Sequence, residues 1–329
     1  MAQSLDEARP SPARGRGARW LESAGLPLFW AILVAGFTAL RPQTFLTASN
    51  IANILGSNTV LLVVTLAALL PLVLGDFDLS VGAVSGLAAM VTAVLNAEAH
   101  WALLPSCLAA CGVGMAVGAI NAIFVVGFGN DTFIVTLASG TIATGLVYEI
   151  SNSNTISGLS PALSQWTFLH TILGVPLQFY YGLGLVALLW YLLRWTPLGQ
   201  QAIFVGQSRE VARLQGIPVP WLRAAGFIGA GLLAACAGLL AVGMMGAADP
   251  SSGPSLLLPA FAAAFLGTTT VEPGRFNVLG ATIAVYFLAT GVAGLQLLGA
   301  QNYIQDVFYG GALITAVTVS GLVRRRLSS

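Results

Sequence analysis

The feature that most limits the fold is a succession of apolar runs, each near the ~20 residues that an α-helix needs to cross a bilayer. They fall at about 26–40, 58–74, 79–96, 101–127, 132–150, 177–193, 222–246, 256–268, 276–298 and 303–322. A water-soluble chain of this length could not hide so much apolar surface. Only 8% of its residues are charged, where soluble domains carry about 25%. The expected fold is therefore all-α and polytopic, with about ten transmembrane helices and broken or short helices near 75–80 and 256–275. Residues 25–323 read as one transmembrane domain. Residues 1–24, rich in Arg, Pro and Ala, read as a disordered N-terminal tail, and 324–329 as a short C-terminal tail. The first polar region is long, contains acids and leads into a multi-span protein, so no cleaved signal peptide is expected.

Every basic residue is an arginine. The P-loop for ATP needs a lysine, and so does a Schiff base, so both chemistries are excluded. A net charge of +1 gives no reason to expect nucleic acid. Arg9, Arg14, Arg16, Arg19, Arg194, Arg209, Arg213, Arg223, Arg275, Arg324, Arg325 and Arg326 fall on one side of a ten-span topology, and Arg41 on the other. By the positive-inside rule both termini and the 194–223 loop are cytoplasmic. Trp20, Trp101, Trp195 and Trp221 sit at span ends, where aromatic anchors belong. Cys107, Cys111 and Cys236 lie inside apolar runs and read as small packing residues. His100 and His170 fall in loops away from other ligands. No catalytic or metal-binding constellation is present in the sequence.

Glycines mark where helices approach. Gly114 and Gly118 form a small-xxx-small pair, and Gly226, Gly229 and Gly231 give a second helix small surfaces. The stretch 72–89, "LVLGDFDLSVGAVSGLAA", resembles 264–285, "AFLGTTTVEPGRFNVLGATIAV". Each has an apolar run ending in Leu-Gly, a short polar stretch, then a Gly/Ala-rich run. Paired interruptions of this kind point to broken helices around a transport path.

Asp76 and Asp78 stand among residues that otherwise read as membrane-buried. A carboxylate at the bilayer centre costs several kcal/mol, so each should face protein, water or an interface. Three roles fit the residues alone: an ion or proton relay, a polar contact for a solute, or capping of the helix that begins near "LSVG". Gly75 and Gly82 would permit the sharp turn and a close backbone approach. In the 194–223 loop, "SREVARLQGIPVP" reads as a short amphipathic helix. Ser208 is its N-cap, Arg209 and Glu210 lie in the first turn, and Val211 and Leu214 share a face. Ala212 and Arg213 favour helix, and Gly216 with Pro218 ends it. Such a helix lies on lipid or docks into a partner's groove.

Four ordered stretches carry a resemblance. "TPLGQQAIFVGQSREVARLQGIPV" (196–219) looks like the cytoplasmic loop of ribose/xylose/arabinose-type ABC sugar permeases, with a T-x-x-G followed by G-x-N-x-x-A-A-R-x-x-G-I. Thr196, Gly199, Gly206, Ala212, Arg213, Gly216 and Ile217 match; Ser208 replaces Asn and Val211 replaces Ala. "GDFDLSVG" resembles G-G-I-D-L-S-V-G, from which Asp76 and Phe77 depart. "DTFIVTLASGTIATGL" (131–146) is similar to P-x-F-I-V-T-L-G-x-x-x-I-x-x-G-L without its Pro. "LGTTTVEPGRFNVLGA" (266–281), with Gly267 and Gly274, resembles G-G-T-S-x-x-G-G-x-G-x-x-x-G.

The resemblance implies a multi-pass permease of the bacterial inner membrane, not an enzyme, working as a homodimer or beside a sister permease. It implies cytoplasmic ABC ATPase subunits that bind the ATP, leaving this chain without a cofactor. It also implies an extracytoplasmic binding protein that delivers a sugar or related small polar solute. Coupling to the ATPase would fall to Ser208, Arg209, Glu210, Val211, Ala212, Arg213, Leu214 and Gly216. Polar residues in otherwise apolar spans are the candidates for the path: Asn58, Thr65, Asp78, Ser80, Asn121, Thr136, Ser139 and Thr141. Gly75, Asp76, Gly82, Gly267 and Gly274 would serve the structure of the two breaks. Glu149 and Asp306 lie near span ends, and the 151–175 loop is a landing surface for the binding protein. The alternative is an ion-coupled secondary transporter using Asp76 or Asp78 as its relay.

Overall fold

The computed structural model describes residues 16–301 and 303–328. The helices are α1 (Arg16–Leu40), α2 (Ala48–Ser57), α3 (Thr59–Val73), α4 (Val81–Ala93), α5 (Leu103–Ala122), α6 (Thr132–Ile150), α7 (Pro161–Ser164), α8 (Leu177–Trp195), α9 (Pro197–Gln207), α10 (Arg209–Leu214), α11 (Val219–Met245), α12 (Ser252–Ser255), α13 (Leu257–Gly267), α14 (Val278–Leu297) and α15 (Tyr303–Ser328). Short wider-wound turns, Val94–Glu98 and Ile123–Gly127, extend α4 and α5. Among the described residues, seven stretches are long and apolar enough to cross a membrane: Ala48–Val73, Val81–Glu98, Leu103–Gly127, Thr132–Ile150, Leu177–Trp195, Val219–Met245 and Val278–Leu297. Two shorter apolar helices, Ala24–Leu40 and Ser252–Gly267, join them. Together with α15 they follow the order of the apolar runs. The all-α polytopic fold stands, with ten as an approximate count.

Several boundaries differ from the sequence reading. Residues 1–15 of the expected N-terminal tail lie outside the described residues, while α1 already begins at Arg16. At the other end α15 continues through Ser328, and Ser329 lies outside the described residues. The run read at 58–74 is α3, and the apolar stretch is longer than that reading: α2 precedes it from Ala48, the two helices meeting at Asn58, whose side-chain amide donates to Ile54 O (2.9 Å). The 256–268 run is the short helix α13, with the one-turn α12 directly before it.

The core is built on α3 and α11. Nearly every residue of α3 is buried, as expected of a helix apolar all round. α11 runs the length of the bundle and packs on α3, α4 and α5. Glycines set these contacts: Gly231 lies against Gly114, Gly118 against Phe227 and Ile228, Gly226 against Leu74, and Gly238 against Ser85 and Ala89. A side chain at any of these would strike neighbouring atoms, so backbone-to-backbone packing replaces the hydrophobic drive that lipid removes. In contrast, α6 and α8 are peripheral, with exposed Ile134, Ile142, Leu188 and Tyr191 where lipid would lie.

The two ends of the bundle differ. One carries the α3–α4 turn, α9, α10 and the α13–α14 turn. The opposite end carries two small antiparallel pairings, Ile156–Ser157 with Ala247–Ala248, and Thr171–Ile172 with Val175–Pro176. There Gly246, at φ +68°, ends α11 in the left-handed conformation that favours glycine.

Candidate functional site

The turn 74–80 joins two membrane helices and gathers polar contacts from much of the bundle. Pro71 O accepts from the N–H groups of Leu74 and Asp76 (both 2.9 Å), winding up the end of α3. Gly75 then takes φ +75°, which a side chain would oppose. Asp76, only 1% exposed, turns back toward two arginines. Arg223, in the first turns of α11, donates from Nε to Oδ2 (2.7 Å) and from Nη2 to Oδ1 (2.8 Å). Arg209, the first residue of α10, donates from Nη2 to the same Oδ1 (2.7 Å) and to Gly75 O (2.8 Å). None of the three roles read for Asp76 from the residues alone describes this arrangement: the carboxylate caps no helix, and both of its oxygens are held by guanidinium groups. Charge-assisted bonds of this sort are roughly twice as strong as neutral ones.

Asp78 does something different. Its Oδ1 accepts the backbone N–H (2.9 Å) and the hydroxyl (2.5 Å) of Ser80, the residue that opens α4. It therefore fixes the approach to the helix through Ser80. Burial pushes its carboxyl up to about 6, against the lowering pull of the two Ser80 donors. Ser80 Oγ in turn accepts from Asn121 Nδ2 on α5 (3.0 Å), and the Leu79 N–H donates to Thr136 Oγ1 on α6 (3.0 Å). Phe77 stacks on Phe261 and Phe265 of α13, with centroids 6.3 and 6.4 Å away. Gly82 lets α4 approach Gly253 and Leu257, and Gly140 of α6 lies against Ser80.

The loop between α8 and α11 explains its own motif. Thr196 caps α9 by accepting the Gly199 N–H (3.2 Å), and Pro197 occupies the first helical position. Gly199 packs on the backbone of Leu192 and Leu193, and Gly206 on that of Val73. Ser208 caps α10 through the Val211 N–H (3.4 Å). At its end, Gly216 at φ +77° gives its N–H to Arg213 O (3.0 Å) and Ile217 gives its own to Ala212 O (3.1 Å). This pair of bonds is the Schellman arrangement. The helical residues Arg209–Leu214 thus lie between the expected cap at Ser208 and the expected end at Gly216. Ala212 is its buried anchor, while Glu210, Val211, Arg213 and Leu214 face outward, Leu214 being 80% exposed. Among its charged side chains, only Arg209 reaches back to the bundle, to Asp76.

The candidate path residues scatter. Asp78, Ser80, Asn121 and Thr136 meet at the turn just described. The hydroxyls of Thr65, Ser139 and Thr141 bond carbonyls of their own helix, at Leu61, Thr136 and Leu137. Asn58, whose amide also bonds back to Ile54 O, lines a cavity of about 230 Å³ nearer the opposite end, with Ser85, Ser252, Ser255, Gln305 and Asp306 among its walls. At the second break, Gly267 packs against Gly280 and Ala281, and Gly274 turns at φ +82°. Among the described residues no group of three His, Cys, Asp or Glu could hold a metal ion. Sequence reasoning missed Arg223 and the inward turn of Arg209. A buried acid in an apolar turn signals a need for counter-charge, but not which arginine supplies it.

The family model described as "Branched-chain amino acid transport system / permease component" matches residues 50–317. The D-allose transport system permease protein of Escherichia coli is 31% identical, over 91% of this chain and 94% of its own length. The ribose import permease protein of the same species is 30% identical, over 91% and 94%. The L-arabinose ABC transporter permease protein of Azospirillum brasilense is 28% identical, over 94% and 91%. No solved structure matches the chain. A bundle of apolar helices, a loop whose motif glycines pack closely or end a helix, and relatives matched along nearly their whole length lead to one assignment: the chain belongs to the family of branched-chain amino acid transport system permease components, and it is a multi-pass transport subunit rather than an enzyme.

Proposed function

We propose that this chain forms the membrane path of an ABC importer for a sugar or a related small polar solute. ATP is hydrolysed by separate cytoplasmic subunits, and solute arrives from an extracytoplasmic binding protein. The relatives, named as permeases for allose, arabinose and ribose, support the solute class and the importer setting. The observation that carries the mechanical part is α10. It is capped at both ends, anchored through Ala212, and presents Glu210, Val211, Arg213 and Leu214 outward. An apolar pair flanked by charges of both signs suits a groove on a protein partner. With arginines concentrated at this end, the end faces the cytoplasm of a bacterial inner membrane, and so do the termini. The polar cavity by Asn58 and Asp306 lies nearer the other end, where its hydroxyl, amide and carboxylate groups suit a polyol.

The working cycle is a shift between two packings of the bundle, driven by motion of α10. A homodimer or a pair with a sister permease would complete the path. The ion-relay alternative loses one of its two candidates, since both oxygens of Asp76 are already held by arginines. The test is co-purification with the ATPase subunit. Arg213→Glu combined with Leu214→Asp should lower capture about tenfold, or ~1.4 kcal/mol, while the chain still inserts. Unchanged capture would remove α10 from the docking role.

A further inference from the structure

The Asp76 cluster joins three separate elements: the turn 74–80, the start of α10 and the start of α11. Its two arms are unequal. Arg223 grips both carboxylate oxygens and is only 15% exposed, which makes it a fixed member. Arg209 reaches one oxygen with one nitrogen and is 42% exposed, and the same nitrogen also holds Gly75 O. A two-bond buried grip resists opening, whereas a single solvent-accessible contact can be exchanged for water. The weaker arm belongs to the helix that presents its other face outward. The turn it holds is tied in turn to α5 through Asn121, to α6 through Thr136 and to α13 through Phe77.

We infer that Asp76 and Arg209 form the mechanical clasp through which displacement of α10 reaches the turn 74–80, with Arg223 as the fixed pivot, so that Arg209 is a positioning residue for gating rather than part of the ATPase-docking face. This rests on the proposed function, because α10 must be the element that the ATPase moves. When α10 shifts, Arg209 draws on the Gly75 carbonyl and the Asp76 carboxylate together, and the turn carries α5, α6 and α13 with it. If the contact is lost, α10 can still be moved but the turn is not.

The experiment uses the assembled complex of the full chain with its ATPase subunits. Cys107, Cys111 and Cys236 are replaced by Ser, and Phe77→Cys places a reporter thiol in the turn, at a position already part-exposed. Its rate of labelling by a water-soluble maleimide is compared without nucleotide and with ATP plus vanadate. With Arg209 intact, the rate should change at least threefold. Arg209→Gln should abolish the change while the ATPase remains bound, and Arg209→Lys should restore part of it, since an ammonium still reaches the carboxylate. A merely structural role for Arg209 would shift both rates alike and leave their ratio intact. An equal nucleotide response in Arg209→Gln, or none in the parent, overturns the clasp with the functional reading untouched. Failure of the unaltered chain to bind the ATPase overturns that reading, and the clasp with it.

Discussion

The two helix–turn–helix units that echo each other in sequence, α3–α4 and α13–α14, hold their turns in opposite ways. The 74–80 turn is held from outside itself: its acid is buried and both arginines come from the α9–α11 region, more than a hundred positions along the chain. The 268–277 turn is held largely from within. Asn277 Nδ2 donates to Gly267 O (3.3 Å), Thr270 O (3.2 Å) and Arg275 O (3.1 Å), while its Oδ1 accepts the Gly280 N–H (2.6 Å). Thr268 and Thr269 return their hydroxyls to carbonyls of α13 (both 2.7 Å). Its acid, Glu272, is 36% exposed and meets Arg194, 58% exposed, at 3.0 Å. The second turn thus closes largely on itself through Asn277, whereas the buried charge of the first is met by residues of a distant loop.

The sharpest way to break this comparison is to remove the acids. Asp76→Ala leaves the guanidinium of Arg223 buried without an anion, and breaking such a pair costs about 3–5 kcal/mol. A marked fall in the thermal unfolding midpoint in detergent is expected; a change no larger than that of a surface variant would show that the cluster is not held as described. Next comes Gly267→Val. Its side chain would strike Gly280 and Ala281, and overpacking costs about 1–3 kcal/mol. The same assay should register it, and an unshifted midpoint would mean that α13 and α14 are not in close contact. Asn277→Ala should cost about 1 kcal/mol through the lost cap, visible as faster hydrogen exchange at 268–280 with the 74–80 turn unaffected. The smallest effect is expected for Glu272→Gln, within about 1 kcal/mol for an exposed pair. A loss approaching that of Asp76→Ala would erase the distinction between the turns.

The departures from the family pattern are informative here. Asp76 and Phe77 stand where G-G-I-D-L-S-V-G has Gly and Ile, and both make contacts that glycine or isoleucine could not. Asp76 binds two arginines, and Phe77 stacks on α13. Several matched residues do local work. Thr196 and Gly216 cap or end helices, as does Ser208 in place of the family's Asn, and Gly199 and Gly206 allow backbones to touch. Such roles depend on neighbours a few positions away, or on having no side chain at all, so spacing alone discloses them. The sequence reading of α10 located its N-cap, its glycine end and its exposed Val211–Leu214 face for this reason, and missed only that Arg209 points away from the others.

Sequence by itself determined the class of the molecule and its helical order, because a ~20-residue apolar run with few charges has one stable outcome in lipid, a membrane helix. It also determined where helices begin, end and approach, since caps and glycines act through backbone geometry. Tertiary structure alone decided which arginine meets which acid, why Asn58 comes to face a cavity, and why two similar turns differ in kind. Those outcomes depend on residues far apart in the chain, brought together only when α11 packs through its glycines against α3, α4 and α5. An ion pair across 147 positions leaves no trace in local spacing.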